Sequence, residues 1–265
     1  LKRLTLFAKG NSDVHDSLHS YRESGVVRWN GVNEIVRERF PGASIRLRHE
    51  TFTRSDALLE ADGAAPDGLA AHRWALGAFP LASQCSKAVF ETDADAIIFS
   101  AQPDTTTTMW RHKTSGRLFY PHDVAALAPA ARAWLAAHYE QAGLLSAAQS
   151  MRFFGAIIER LRARTAAPIL IYNVSATVPG ETVHSLQGLG ETFTTRIRRF
   201  NVMLAELSEN TGISIIDVDS VLARRGVDQL KLSALHLTAE GHRIVAAEVV
   251  RVLADLGVLA LCGPA

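Results

Sequence analysis

Two residues stand where a chain of this kind could do nucleophilic chemistry. Ser12 lies in the small polar cluster Gly10-Asn11-Ser12-Asp13, directly after an alternating apolar run through Leu4, Leu6 and Ala8. His236 lies near the other end, in a segment that runs from Ser233 to His242. A serine hydroxyl is a poor nucleophile at neutral pH and needs a neighbouring base to take its proton. An imidazole has the pKa for that task. Each residue alone has a plainer reading: a turn or helix cap for the Ser12 cluster, and a satisfied histidine at a strand–helix junction for His236. The pair carries the chemistry, because Ser12 follows the first strand and His236 follows the last, ahead of a helix that Thr238 is placed to cap. In a parallel sheet those two loops open on the same face.

The elements that must hold them there follow from periodicity. Residues 3–9 and 44–49 alternate and read as strands. Residues 94–100 form a short continuous apolar run, the mark of a central parallel strand, and residues 168–174 and 213–218 read as the fourth and fifth strands. Between them, helical spacing covers residues 32–40, 123–142, 146–166, 193–209 and 237–256. Strands alternating with helices predict one α/β domain over residues 1–265, a three-layer α/β/α sandwich around a five-stranded parallel sheet of flavodoxin-like shape. Residues 102–149 are too long for a simple crossover and read as an inserted helical cap, a lid or substrate wall.

Composition narrows the classes. The net charge of +1 gives no bulk attraction for nucleic acid or an anionic membrane. No apolar stretch is long and uncharged enough to span a bilayer. The two cysteines, Cys85 and Cys262, are far apart and read as reduced thiols, and the N-terminus enters a strand directly, so the expectation is a cytoplasmic protein. No P-loop is present, and Gly188-Leu-Gly190 is misplaced for a dinucleotide fold, so no cofactor is expected. His15 and His19 are four apart, a weak metal pattern better read as a solvated or pocket-lining pair, and no metal site is assigned. Oligomeric state is not legible.

Gly10-Asn11-Ser12 after the first strand, and His236-Leu-Thr-x-x-Gly241-His before the last helix, resemble the first and last sequence blocks of the SGNH/GDSL hydrolases. Phe200-Asn201-x-x-Leu204 leading into Ile215-Ile216-Asp217 is similar to that family too. The resemblance implies a serine nucleophile and ester hydrolysis or acyl transfer. The departures are specific. Asn11 stands where the first block has aspartate, and Ser233 where the last block has an aspartate three residues before the histidine. Residues 49–55 lack the glycine of the second block, and Ala101-Gln102-Pro103-Asp104 replaces Gly-x-Asn-Asp of the third.

Those departures remove oxyanion donors, each worth on the order of 10²–10³ in rate. The backbone N–H groups of Ser12 and Asp13 survive any side-chain change, and the Gln102 amide and Arg54 or Thr53 are further candidates; Asp104 cannot donate when ionised. His236 lacks its usual carboxylate, so Ser233 and Asp228 become the candidates to orient it, with Asp217 more suited to capping. A backbone carbonyl in that place would leave a Ser–His dyad. Trp110, Arg111, His112, Lys113 and Arg117 form a basic, aromatic cluster, either an exposed loop or a recognition wall for an anionic or aromatic substrate. The expected function is serine-dependent hydrolysis of, or acyl transfer from, a small-molecule ester or acyl donor through an acyl-enzyme. The alternative is a repurposed, non-catalytic fold that binds a small molecule or a protein partner; a flavodoxin-like phosphate-ligand protein is a third reading.

Overall fold

Leu4, Leu6 and Ala8 are completely buried, as alternation on a covered strand requires. The computed structural model of the chain describes residues 2–51, 54–65, 68–72, 81–121, 123–176 and 190–259. Strand β1 (Lys2–Lys9) is followed by α1 (Ser12–Leu18), the hairpin of β2 (Tyr21–Glu23) and β3 (Val26–Trp29), α2 (Val32–Arg39), β4 (Ala43–Glu50), α3 (Ser55–Leu59) and α4 (Leu81–Gln84). Then come β5 (Ala96–Ser100), α5 (Gln102–Thr106), β6 (Met109–His112), β7 (Leu118–Phe119), α6 (Pro129–His138), β8 (Tyr139–Ala142) and α7 (Ala147–Arg162). The chain continues with β9 (Ile169–Tyr172), α8 (Phe193–Thr211), β10 (Ser214–Ile216), α9 (Val218–Ala223) and α10 (Ala239–Asp255).

The chain divides into two compact units. The first comprises Leu1–His49, Asp93–Gln102 and Thr165–Ala265. It carries the expected five-stranded parallel sheet with helices on both sides, in the order β10-β9-β5-β1-β4. In register, Leu6 lies beside Ala96 and Ile98 beside Leu170. On one face Leu6, Ala8, Ile98 and Leu170 join a core with Val14 and Leu18 of α1, Val36 of α2 and Val245 and Val249 of α10. Phe7, Ile97, Phe99 and Ile171 alternate onto the other face and are buried as well. The chain leaves β1 toward β4 on one side and returns to β5 on the other, so the order reverses between β1 and β5, where α/β folds place ligands at the carboxyl ends of the strands.

The second unit comprises Glu50–Thr92 and Pro103–Arg164. Within the segment expected as a helical cap, residues 102–149, α6 is accompanied by a three-stranded antiparallel sheet, β7-β6-β8, and α7 follows it. The helix expected over 123–142 ends at His138, because Tyr139–Ala142 pairs with β6. Threonines and aromatics around β6 favour strand, and Met109, Leu118 and Ala142 bury that sheet against Ala57. Three residues of the basic, aromatic cluster make contacts within this unit. Lys113 Nζ donates to the Ala136 carbonyl (2.6 Å), Arg117 pairs with Asp62 (2.7 Å), and His112 Nδ1 contacts the Ser115 hydroxyl (2.9 Å). Cys85 is buried, while Cys262 and Thr53 lie outside the described residues, as does most of the loop after Ser175. Among the described residues no helix is long and apolar enough to cross a membrane.

Three features of the first unit escaped the periodicity reading, α1, the β2–β3 hairpin and α9. All are too short to complete a recognisable repeat. Gly10 joins β1 to α1 at a point with no room for a side chain. A Cβ there would sit 2.3 Å from Cγ2 of Val14, which is itself fully buried. Gly10→Ala is therefore expected to lower stability by about 1–3 kcal/mol through overpacking, measured by chemical denaturation. An unchanged denaturation midpoint would show that α1 moves aside freely.

Candidate active site

Ser12 is the first residue of α1, with Asn11 at the N-cap position. His236 belongs to a tight loop closed by the Lys231–Leu237 bridge and by the Leu232 N–H donating to the His236 carbonyl (2.8 Å). Thr238 caps α10 by accepting from the Gly241 N–H (3.2 Å), which places that loop at the start of the helix. Ser12 and His236 line one cavity of about 230 Å³, with Asp16, Tyr21, Ser233 and His242 among the other walls. The hydroxyl of Ser12 makes no hydrogen bond to His236 among the described residues. The Ser233 hydroxyl is 2.8 Å from His236 Nδ1, in the position where the family's aspartate would stand. That contact occupies one ring nitrogen and leaves Nε2 for other work. Asp228 is exposed on a short turn, Val227–Gln229, and makes no hydrogen bond to His236. Asp217 caps α9 through the Ser220 N–H (3.1 Å) and accepts from Asn173 (2.8 Å).

A second, smaller cavity of about 30 Å³ lies against the carboxyl ends of the sheet strands and shares Leu235 and Leu237 with the first. Its polar walls include Asp13, Gln102, Ser175 and Lys231. The Ser100 hydroxyl donates to Asp13 Oδ2 and accepts from the Gln102 N–H (3.0 Å). Asp13 Oδ1 is buried near backbone N–H groups without completing a hydrogen bond. Burial raises the Asp13 pKa, opposed by the Ser100 hydroxyl and by those N–H groups. Lys231 Nζ donates to the Ser175 carbonyl (3.4 Å), and burial lowers its pKa to about 8.

Three histidines cluster beside the loop that carries Ser12, and one of them is bonded to it. His49, at the end of β4, donates from Nε2 to the Gly10 carbonyl (2.8 Å). His15 stacks on His19 at 4.7 Å between ring centres, and both meet His49 edge-on. Among the described residues no group of three His, Cys, Asp or Glu side chains is disposed to hold a metal ion. His242 is buried, its Nε2 lies 3.9 Å from Asp16, and burial lowers its pKa to about 4, so its ring is neutral at pH 7. The contributions of His49, Ser100, Ser175 and Lys231 were not read from the sequence. They act through partners far away in the chain, and no local spacing marks them.

Arg54 and Asp104, the other two oxyanion candidates, belong to the second unit and are completely enclosed there. Arg54 holds Asp56 through Nη2 (2.6 Å) and Nε (3.1 Å), and its Nη1 donates to the carbonyls of Gly143 (2.7 Å) and Thr107 (3.1 Å). Asp104 accepts from the Ser55 N–H (2.8 Å), the Ser55 hydroxyl and the Ser150 hydroxyl (2.5 Å). A buried arginine with its forks filled, and a buried carboxylate with its donors supplied, hold a scaffold together.

Residues 106–244, just over half of the chain, match the sequence model of the GDSL-like Lipase/Acylhydrolase family, and the chain belongs to that family. It is therefore a hydrolase of the ester-cleaving kind in general. Solved structures agree on the fold. LAE5, an alpha/beta hydrolase enzyme from the metagenome of Lake Arreo, Spain, is 13% identical with a TM-score of 0.52, covering 97% of this chain and 96% of its own. Axe2, an acetylxylan esterase from Geobacillus stearothermophilus, is 11% identical with a TM-score of 0.52, covering 94% and 93%. The lipase/acylhydrolase from Enterococcus faecalis is 10% identical with a TM-score of 0.50, covering 97% of each chain. No curated protein matches the chain.

The Asp104 network gives a test of the second unit. Burial lifts the Asp104 pKa from 3.8 to about 6, against the pull of its serine donors. The folded state thus binds this proton more tightly than the unfolded state. Its contribution to stability is present below pH ~4 and is lost as pH rises from ~4 to ~6. Urea denaturation across pH 4–7 is expected to show this decline in the parent and not in Asp104→Asn; identical pH profiles would refute it.

Proposed function

We propose that the protein cleaves a small-molecule ester through a serine acyl-enzyme, passing the acyl group to water or to another acceptor. Ser12 Oγ attacks the carbonyl carbon while His236 Nε2 takes its proton. The tetrahedral intermediate's oxyanion is held by the backbone N–H groups of Ser12 and Asp13. His236 returns the proton to the leaving oxygen as the C–O bond breaks. A water or acceptor hydroxyl then repeats the steps in reverse and frees Ser12. Ser233 is the positioning residue in this reading. Its hydroxyl fixes the tautomer and tilt of His236, the task a carboxylate performs in a triad. Arg54 and Asp104 support the second unit and supply no oxyanion donor.

The observation that carries the reading is the shared cavity, in which Ser12 and a His236 whose Nδ1 is already occupied face the same space. Free enzymes commonly hold such pairs beyond direct contact and tighten them on binding. A neutral hydroxyl stabilises an imidazolium less than a carboxylate does, so the parent is a slower catalyst than a full triad.

A serine-reactive fluorophosphonate is expected to label the parent and not Ser12→Ala. Labelling that persists in Ser12→Ala removes Ser12 as nucleophile, and no labelling of either favours a binding protein. In steady-state assays on a short aryl ester, His236→Ala is expected to lower kcat by about 10²–10⁴. Ser233→Ala lowers it less, with KM nearly constant, and Ser233→Asp raises it above the parent. If Ser233→Ala leaves kcat untouched, Ser233 has no part in positioning His236.

A further inference from the structure

The cavity that holds Ser12 and His236 is one-sided in charge. Among the described residues that line it stands one carboxylate, Asp16, and no lysine or arginine. Asp16 and Ser12 both belong to α1, four residues apart, so they share a helix face with about 5–6 Å between their Cβ atoms. The Asp16 side chain is open to solvent at 24% of its surface. Its Oδ1 meets His15 Nδ1 (2.7 Å), while Oδ2 lies 3.9 Å from His242 Nε2 and makes no hydrogen bond among the described residues. The His242 ring is neutral at pH 7, and among the described residues no lysine or arginine pairs with Asp16.

Apolar and aromatic groups make up much of the remaining wall. Leu235 and Leu237 come from the loop before α10, and the half-buried Tyr21 adds a ring 5.1 Å from that of His242 between centres. An aromatic ring and a carboxylate beside leucines attract a methylated ammonium, which is held without donating hydrogen bonds. The cavity of about 230 Å³ is below the roughly 300–1,000 Å³ of pockets for drug-sized ligands, so the group it takes is small.

Position decides which half of an ester carries that cation. His236 protonates the leaving oxygen, and Asp16 and His236 both act electrostatically on His242, which places the carboxylate on the leaving-group side. In an ester of a two-carbon amino alcohol, four bonds of about 1.5 Å separate the carbonyl carbon from the nitrogen, a reach of roughly 5 Å. That reach matches the one-turn spacing from Ser12 to Asp16.

We propose that Asp16 and Tyr21 form a leaving-group subsite for a short alcohol bearing a quaternary ammonium, so that the preferred substrate is a choline-type ester. The inference rests on the reading of Ser12 and His236 given above. Cleavage leaves the acyl group on Ser12 Oγ and releases the alcohol, its oxygen carrying the proton from His236 and its nitrogen keeping the positive charge.

The test compares kcat/KM for acetylcholine and 3,3-dimethylbutyl acetate, which has the same shape with carbon in place of the charged nitrogen. Assays run at about pH 8, where an ordinary imidazole is uncharged. Each value is divided by the ester's rate of alkaline hydrolysis to remove intrinsic reactivity, and phenyl acetate serves as the neutral reference. The parent is expected to prefer acetylcholine over its isostere by about tenfold. Choline is expected to inhibit phenyl acetate turnover at about a tenth of the concentration that 3,3-dimethylbutan-1-ol requires. Asp16→Asn brings the ester ratio close to one, Asp16→Glu keeps it above one, and Tyr21→Leu lowers it about threefold. Ser12-dependent turnover of phenyl acetate with a parent ratio near one, or with a ratio unmoved in Asp16→Asn, overturns the subsite alone. Should Asp16→Asn fail to fold, inhibition of the parent decides, and equal potency of choline and the neutral alcohol overturns the subsite. Failure of every ester to show Ser12-dependent turnover overturns the reading of the site and the subsite with it.

Discussion

The packing of α1 and α10 over one face of the parallel sheet holds the candidate site in place. Val14 and Leu18 from α1 and Val245 and Val249 from α10 are buried with Leu6, Ala8 and Ile98 of the sheet in one core. Because both helices share that core, the start of α1 and the loop before α10 cannot move apart without exposing apolar side chains to water. Ser12 sits at the first of those places and His236 at the second. The close approach of Gly10 to Val14 is the local expression of the same constraint, since the β1–α1 turn is tight enough that a methyl group would collide with the core.

Around that frame, polar contacts do the aligning. His49 reaches from the end of β4 to the Gly10 carbonyl and ties the loop that carries Ser12 to a neighbouring strand. Ser233 touches Nδ1 of His236 from three residues away, within a loop already closed by backbone hydrogen bonds. Ser100 brings Asp13 into contact with the end of β5. Each contact is modest alone, but each removes a degree of freedom from a group that must be aimed.

The second unit shows what became of the positions where the family's inner blocks would lie. Arg54 and Asp104 are not aimed at open space. Both are enclosed, and every hydrogen bond described for them goes to residues of their own unit. In the proposed reaction the oxyanion therefore falls to backbone N–H groups, which are insensitive to side-chain replacement.

The sequence by itself determined the order of strands and helices of the main sheet, because alternating and continuous apolar runs report burial directly. It also placed Ser12 and His236 on loops that share a face, since parallel topology decides which loops neighbour each other. Thr238 as the cap of α10, and a capping rather than His-orienting role for Asp217, were legible for the same reason, each acting within a few residues of itself. The tertiary structure alone decided the rest. It turned the expected helix over 139–142 into a strand, because pairing with β6 outweighed local propensity. It chose Ser233 over Asp228 as the neighbour of His236, and it committed Asp104 to Ser150 and Asp13 to Ser100. These are contacts of side-chain direction, between residues whose spacing in the chain carries no period. A pattern of polar and apolar residues records which side of an element is buried, but a hydrogen bond depends on where the partner's atom lies, and only the packed fold sets that.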